Sequence, residues 1–204
     1  MTTEKKFFSA KNVATFAILL ALVIVLQLLG GVISGFLPVE LSFVLVPVVL
    51  GAIVLGPWSG GFLGLAFGVI TVIYGVTGAS SFTQILLADQ PILTVIICLV
   101  KGFAAGFVPG LLFRLISKKN VCAAIFTAAA VAPVMNTGLF ILGMFCMTGT
   151  ITNNFVPSGN MSDIMYFLFI GCAGVNFLIE FAINIVLAPA LHTVYRVVDK
   201  RFQK

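Results

Sequence analysis

Long apolar runs separated by short polar breaks organise this chain. The runs predict helices at about residues 12–30, 41–55, 58–76, 92–116, 121–147 and 163–197. Most approach the roughly 20 residues that cross a bilayer core as a helix. The run at 41–55 is short for a full span and needs tilt or help from its neighbours. The breaks are written in turn residues: Gly30, Gly31, Gly35 and Pro38 after the first run, Gly56 and Pro57 after the second. Polar stretches at 77–91, 117–120 and 148–162 separate the rest. The runs are continuous rather than alternating, which argues against a β-barrel. The expectation is an all-α integral membrane protein, one domain over residues 1–204, built as a six-transmembrane-helix bundle.

Composition sharpens this picture. The chain is 61% hydrophobic and 8% charged, with a mean hydropathy of +1.23. No soluble domain could bury that much apolar surface. A catalytic or ATP-binding domain outside the bilayer has no sequence left to form it. No G-x-x-x-x-G-K-[ST] run is present, and neither H-E-x-x-H nor G-x-S-x-G appears. Cys98, Cys122, Cys146 and Cys172 are scattered in or beside apolar runs without a C-x-x-C pair, so they read as small buried hydrophobes. His192 is the only histidine, which excludes a histidine metal cluster. No metal and no cofactor is expected. The first run is long for a signal peptide and is kept as a helix.

The charges orient the bundle. Lys5, Lys6, Lys11, Arg114, Lys118, Lys119, Arg196, Lys200, Arg201 and Lys204 fall at the head, at the turn after the fourth run, or at the tail. The opposite loops carry Glu40, Asp89 and Asp163 without lysine or arginine. The positive-inside rule then puts both termini in the cytoplasm. The net charge of +5 is a topology signal rather than a nucleic-acid footprint.

Polar side chains inside the apolar runs are the candidate chemistry. Asn176, Glu180 and Asn184 are spaced by four residues and share one helix face. An ionisable group in hydrocarbon is costly and normally faces a protein interior or a wet cavity. This stripe either lines a substrate site or ties helices together by hydrogen bonds. Lys101 lies about ten residues into the fourth run, roughly 13 Å from its outer end at 1.5 Å per residue. It either pairs with Glu180 or meets an anionic or carbonyl-bearing ligand. The fifth run carries Pro133, Asn136, Thr137 and Gly138, and proline frees a carbonyl that a nearby amide can use. Three runs thus bring polar groups to one broad depth in the outer half, where a pocket roofed by loops is expected. Gly60, Gly64 and Gly68, and separately Gly102, Gly106 and Gly110, form small-residue stripes for close helix approach.

With these residues in view, the chain resembles the substrate-binding S component of an energy-coupling factor (ECF) vitamin transporter. The resemblance covers nearly the whole length. It is carried by residues 37–43 (LPVELSF), 47–52 (PVVLGA) and 55–57 (LGP), and by an A-x-x-x-A pattern at Ala17 and Ala21, with Ala10 and Ala14 as an earlier match. It implies that this small-residue face docks on a shared transmembrane scaffold subunit, itself joined to two ATPase subunits that use the ATP. It implies a bacterial plasma membrane and a substrate-binding role without enzymatic activity. It also implies capture of a vitamin from outside, in the outer half among the last three helices. On this sequence that maps to Lys101, Asn136, Thr137, Asn176 and Glu180, with Gln84 from a loop and Asn184 deeper. Glu40 and Leu41 stand where riboflavin binders would carry an aspartate-bearing string. Only Trp58 and few tyrosines are at hand for an aromatic clamp, so a small carboxylate such as pantothenate is favoured over riboflavin or another vitamin. The rival reading is a stand-alone secondary transporter or channel, with Lys101 and Glu180 as an ion or proton relay.

Overall fold

The computed structural model describes residues 10–34 and 43–202. It is 88% helix, with no strand among the described residues. In chain order the helices are α1 (Ala10–Ser34), α2 (Leu45–Val54), α3 (Pro57–Thr77), α4 (Ser81–Asp89), α5 (Pro91–Ile116), α6 (Val121–Phe145), α7 (Thr148–Asn154) and α8 (Met161–Tyr166). A π-helical segment, Phe167–Cys172, then leads into α9 (Gly174–Phe202). Five stretches are long and apolar enough to cross a membrane: Ala10–Gly30, Pro57–Thr77, Pro91–Ile116, Val121–Phe145 and Met161–Val198. The protein is a multi-pass, all-α membrane protein. The run expected at 41–55 forms α2, a ten-residue apolar helix shorter than these five stretches. Part of that expected run, residues 41 and 42, lies outside the described residues, as do Lys5, Lys6, Glu40 and Lys204.

Local signals in the sequence explain most boundaries. Gly56, at φ 104°, turns the chain out of α2, and Pro57 opens α3 at a position that needs no N–H donor. Gly78, at φ 77°, closes α3 in the left-handed conformation. The Asn120 side chain accepts the Ala123 N–H at 3.1 Å and caps α6.

Two polar stretches expected as loops contain helices instead. Ser80 accepts the Thr83 N–H at 3.3 Å and starts α4 inside the 77–91 stretch. Phe82, Thr83 and Leu86 recur at helical spacing there and face inward, which gives the segment an apolar side to bury. In 148–162, α7 buries Thr150 and Ile151. The last run is interrupted by the π segment, where the Ala173 N–H reaches back five residues to the Leu168 carbonyl.

The two glycine stripes face each other, so that α3 and α5 meet backbone to backbone. A Cβ on Gly64 would collide with the Gly102 carbonyl, and one on Gly102 with the Gly64 carbonyl. A Cβ on Gly106 would strike the Gly60 carbonyl, and one on Gly68 the Cys98 carbonyl. Three apolar clusters fill the remaining space. One joins α2, α5, α6 and α9 at the end bearing Arg114, another joins α4 to the π segment at the opposite end, and a third seats α1 on α2 and α3. In α1 only Leu19, Val23 and Gly30 are buried among residues 10–30. Near its far end the Tyr74 hydroxyl donates to the Gln27 carbonyl at 3.0 Å.

Candidate binding site

A cavity of about 290 Å³ opens at the bundle end remote from Arg114. That is near the lower end of the range for small-molecule sites, about 300–1,000 Å³. The α3–α5 contact places Thr71 on one wall and Lys101 on another. From α6 come Asn136, Thr137, Phe140 and Met144; from the last span come Phe167, Gly171, Cys172, Ala173 and Asn176. The short helix α4 adds Phe82 and Thr83, and Phe155 enters from the residue that follows α7.

The structure brings together Lys101, Asn136, Thr137 and Asn176 of the residues singled out from sequence. The Lys101 ammonium stands 5.1 Å from the Phe140 ring centroid and 5.8 Å from that of Phe67. Aromatic faces attract a cation through their quadrupole but leave its N–H donors for hydrogen bonding. Glu180 and Asn184 are buried but lie behind the cavity wall and not on it. The Asn136 Nδ2 donates to Glu180 Oε2 at 3.3 Å, joining α6 to α9. Asn184 Nδ2 donates to the Glu180 carbonyl at 2.8 Å within α9. The polar stripe of α9 therefore starts at the cavity with Asn176 and runs inward into helix–helix contact. Asn136 uses its amide on Glu180, where the proline-freed backbone was one expected partner. Gln84 is exposed and does not line the cavity; its neighbour Thr83 does.

Several lining groups were not legible in the sequence. Phe82, Phe140, Phe155 and Phe167 form an aromatic chain over the cavity. Phe155 and Phe167 stack at 5.3 Å between centroids, while Phe82 meets Phe155 at 5.1 Å and Phe140 at 6.0 Å with the rings tilted. The phenylalanines come from four elements, and no periodicity marks residues that meet only in three dimensions. Thr71 and Thr94 donate their hydroxyl protons to backbone carbonyls one turn earlier, at 3.0 Å and 2.8 Å. Gln90 Nε2 donates to Thr150 Oγ1 at 3.3 Å and ties the α4–α5 corner to α7. The only available signal was the helical spacing within residues 81–89.

No group of three or more potential metal ligands occurs among the described residues. Of the four cysteines expected as small buried hydrophobes, Cys98 is buried and Cys172 half-buried, whereas Cys122 and Cys146 are exposed, on outward faces of the bundle. The described helices thus form an apolar shell around this cavity, with a cation, two carboxamides and several hydroxyls among its lining residues. The family model for the ECF transporter substrate-specific component matches residues 11–192, and the chain belongs to that family. No curated protein and no solved structure matches it. The family is a transporter's substrate-specific component and not an enzyme family.

Proposed function

We propose that this protein is the high-affinity capture subunit of an ECF-type importer. In this reading it takes a small water-soluble vitamin into the cavity under α4, α7 and α8 and hands it to a module of one membrane scaffold and two ATPases. The observation that carries the reading is the polar cavity at one end of the bundle, in a chain matched to the family over residues 11–192. Lys101, Asn136, Thr137 and Asn176 are the proposed contacts. Glu180 and Asn184 stand behind them as supports, and Gln84 stays a candidate only for the outer surface.

Charge asymmetry supports the orientation. Arg114, Lys118, Lys119 and Arg196 sit at the end opposite the cavity, which makes that end cytoplasmic and opens the cavity outward. Six membrane-crossing segments, with α2 short and tilted, return both termini to the cytoplasm of a bacterial cell. Ala10, Ala14, Ala17 and Ala21 all lie exposed on α1, a small-residue face suited to close docking of the scaffold's helices. Among vitamins, pantothenate is favoured, because a lysine-bearing cavity of this size suits a small carboxylate. The relay reading is less well supported, since Lys101 contacts aromatic rings and Glu180 holds a carboxamide.

The test is uptake of radiolabelled pantothenate by cells expressing the protein with and without an ECF scaffold and its ATPases. Uptake that needs the module and ATP is expected. Uptake by the protein alone, abolished by a protonophore, would favour the relay.

A further inference from the structure

A second cavity, of about 500 Å³, opens at the other end of the bundle, where the turn between α2 and α3 meets the last turns of α5 and α9. Trp58, Gly110, Arg114, Ser117 and Tyr195 line it, with Tyr195 edge-on to Phe113 at 5.3 Å. Arg114 carries the one charge among the described lining residues. It is exposed and pairs with no carboxylate among the described residues. Arg114 also ends an aromatic stripe. Phe103, Phe107 and Arg114 are spaced by four and seven residues and share one face of α5. The two rings stack at 5.3 Å between centroids, and Trp58 of α3 meets Phe107 edge-on at 5.0 Å and Phe103 at 6.2 Å. Gly61 leaves room for Phe103 to lie across α3, since a Cβ there would meet its ring. Trp58 is 57% exposed and Phe62, one turn further along α3, is 52% exposed, so this face is turned outward. On a membrane-spanning helix pair, what lies outward is lipid. From Phe103 to Arg114 the stripe runs eleven residues, roughly 16 Å along the helix. That is close to one leaflet's half of the roughly 30 Å hydrocarbon core.

We infer that this face holds one anionic phospholipid of the leaflet at the Arg114 end, its phosphate on the Arg114 guanidinium and an acyl chain along Phe107 and Phe103. Charge complementarity selects the headgroup. A guanidinium, followed in sequence by Lys118 and Lys119, favours a net negative headgroup over a zwitterion whose cationic group it repels. The planar fork of arginine matches two phosphate oxygens, which a lysine cannot do. The Ser117 hydroxyl and the Trp58 indole N–H stand at the same cavity as further donors. Tryptophan at this level is also suited to the boundary between headgroups and chains. The length of the stripe selects a lipid over a soluble phosphate ester, which could fill the cavity but would leave the rings uncovered. This site is separate from the Lys101 cavity, and its test is independent of that cavity's ligand.

Native mass spectrometry of the delipidated full chain tests this with three probes: phosphatidylglycerol, phosphatidylcholine and glycerol 3-phosphate. One phosphatidylglycerol should be retained about 5- to 10-fold more tightly than phosphatidylcholine, the range for one basic residue at an anionic headgroup. Glycerol 3-phosphate should not be retained. Arg114→Ala should bring phosphatidylglycerol down to the level of phosphatidylcholine, and Arg114→Lys should restore only part of the difference. Lys118→Ala, outside the cavity, should cost less than Arg114→Ala. Phe107→Ala should weaken both lipids alike, because the ring meets the chain and not the headgroup. Thermal unfolding in detergent without lipid checks that the variants are folded; Arg114 is exposed, so its removal should leave the melting temperature unchanged. Equal losses for Arg114→Ala and Lys118→Ala would mean diffuse attraction and overturn the site. Equal retention of the two lipids overturns the charge assignment, and glycerol 3-phosphate held as tightly as phosphatidylglycerol overturns the lipid. Unchanged lipid binding by Arg114→Ala, with lost assembly on an ECF module, would give the face to a protein partner and overturn the inference as well.

Discussion

Gly64→Ala tests the contact on which the cavity's shape depends. In a helix interior, glycine to alanine alone is favourable by roughly 0.5–1 kcal/mol, because the unfolded chain loses freedom. At Gly64 the added methyl would run into the Gly102 carbonyl, with Gly106 N also within 3.5 Å of it. Backbone cannot swing aside as a flexible side chain can. α3 and α5 must move apart, and such overpacking costs about 1–3 kcal/mol. Gly138, on α6, is the matched control, since nothing lies within 4 Å of its added Cβ. Gly138→Ala should therefore be neutral or stabilising while Gly64→Ala destabilises; the propensity gain is common to both and cancels, which leaves a separation of about 1–3 kcal/mol from overpacking. Thermal unfolding in one detergent reads the sign directly. Because α3 carries Thr71 and α5 carries Lys101, Gly64→Ala should also weaken ligand binding. Equal melting temperatures for the two variants would refute the backbone-to-backbone contact and, with it, the account of how the cavity walls are held.

Ala17→Trp on the exposed face of α1 should leave ligand binding by the isolated protein intact and abolish transport with the ECF module; lost binding with surviving assembly would misplace the docking face. Cysteine labelling in intact cells should reach Asn153→Cys but not Lys118→Cys, and the reverse pattern would invert the proposed orientation. Phe155→Ala removes the centre of the aromatic chain, whose pair contacts are worth about 0.5–1.5 kcal/mol each. It should speed ligand dissociation in stopped-flow measurements by roughly 2- to 10-fold, and an unaltered rate would mean that the chain does not cover the ligand.

Periodicity and composition were enough to establish an all-helical membrane protein and the approximate limits of its long helices. The reason is that hydrocarbon demands internal pairing of every backbone group, so a long apolar run has little choice but to be a helix. Turn chemistry at Gly56, Pro57, Gly78 and Asn120 is local as well, and it was readable or nearly so. The polar residues likewise announced themselves, because Lys101, Asn136, Asn176 and Glu180 are expensive wherever they stand in a membrane. What each does was decided by packing. Residues 81–89 look polar in a line and become a wall of the cavity once Phe82, Thr83 and Leu86 turn inward. The two glycine stripes are far apart in sequence, and only the fold sets them face to face. Glu180 lies on the same helix face as Asn176, yet the geometry puts Asn176 on the cavity and Glu180 behind it, holding Asn136. A one-dimensional pattern gives the face of a helix, whereas the neighbour that meets that face, and at what depth, is a property of the assembled bundle.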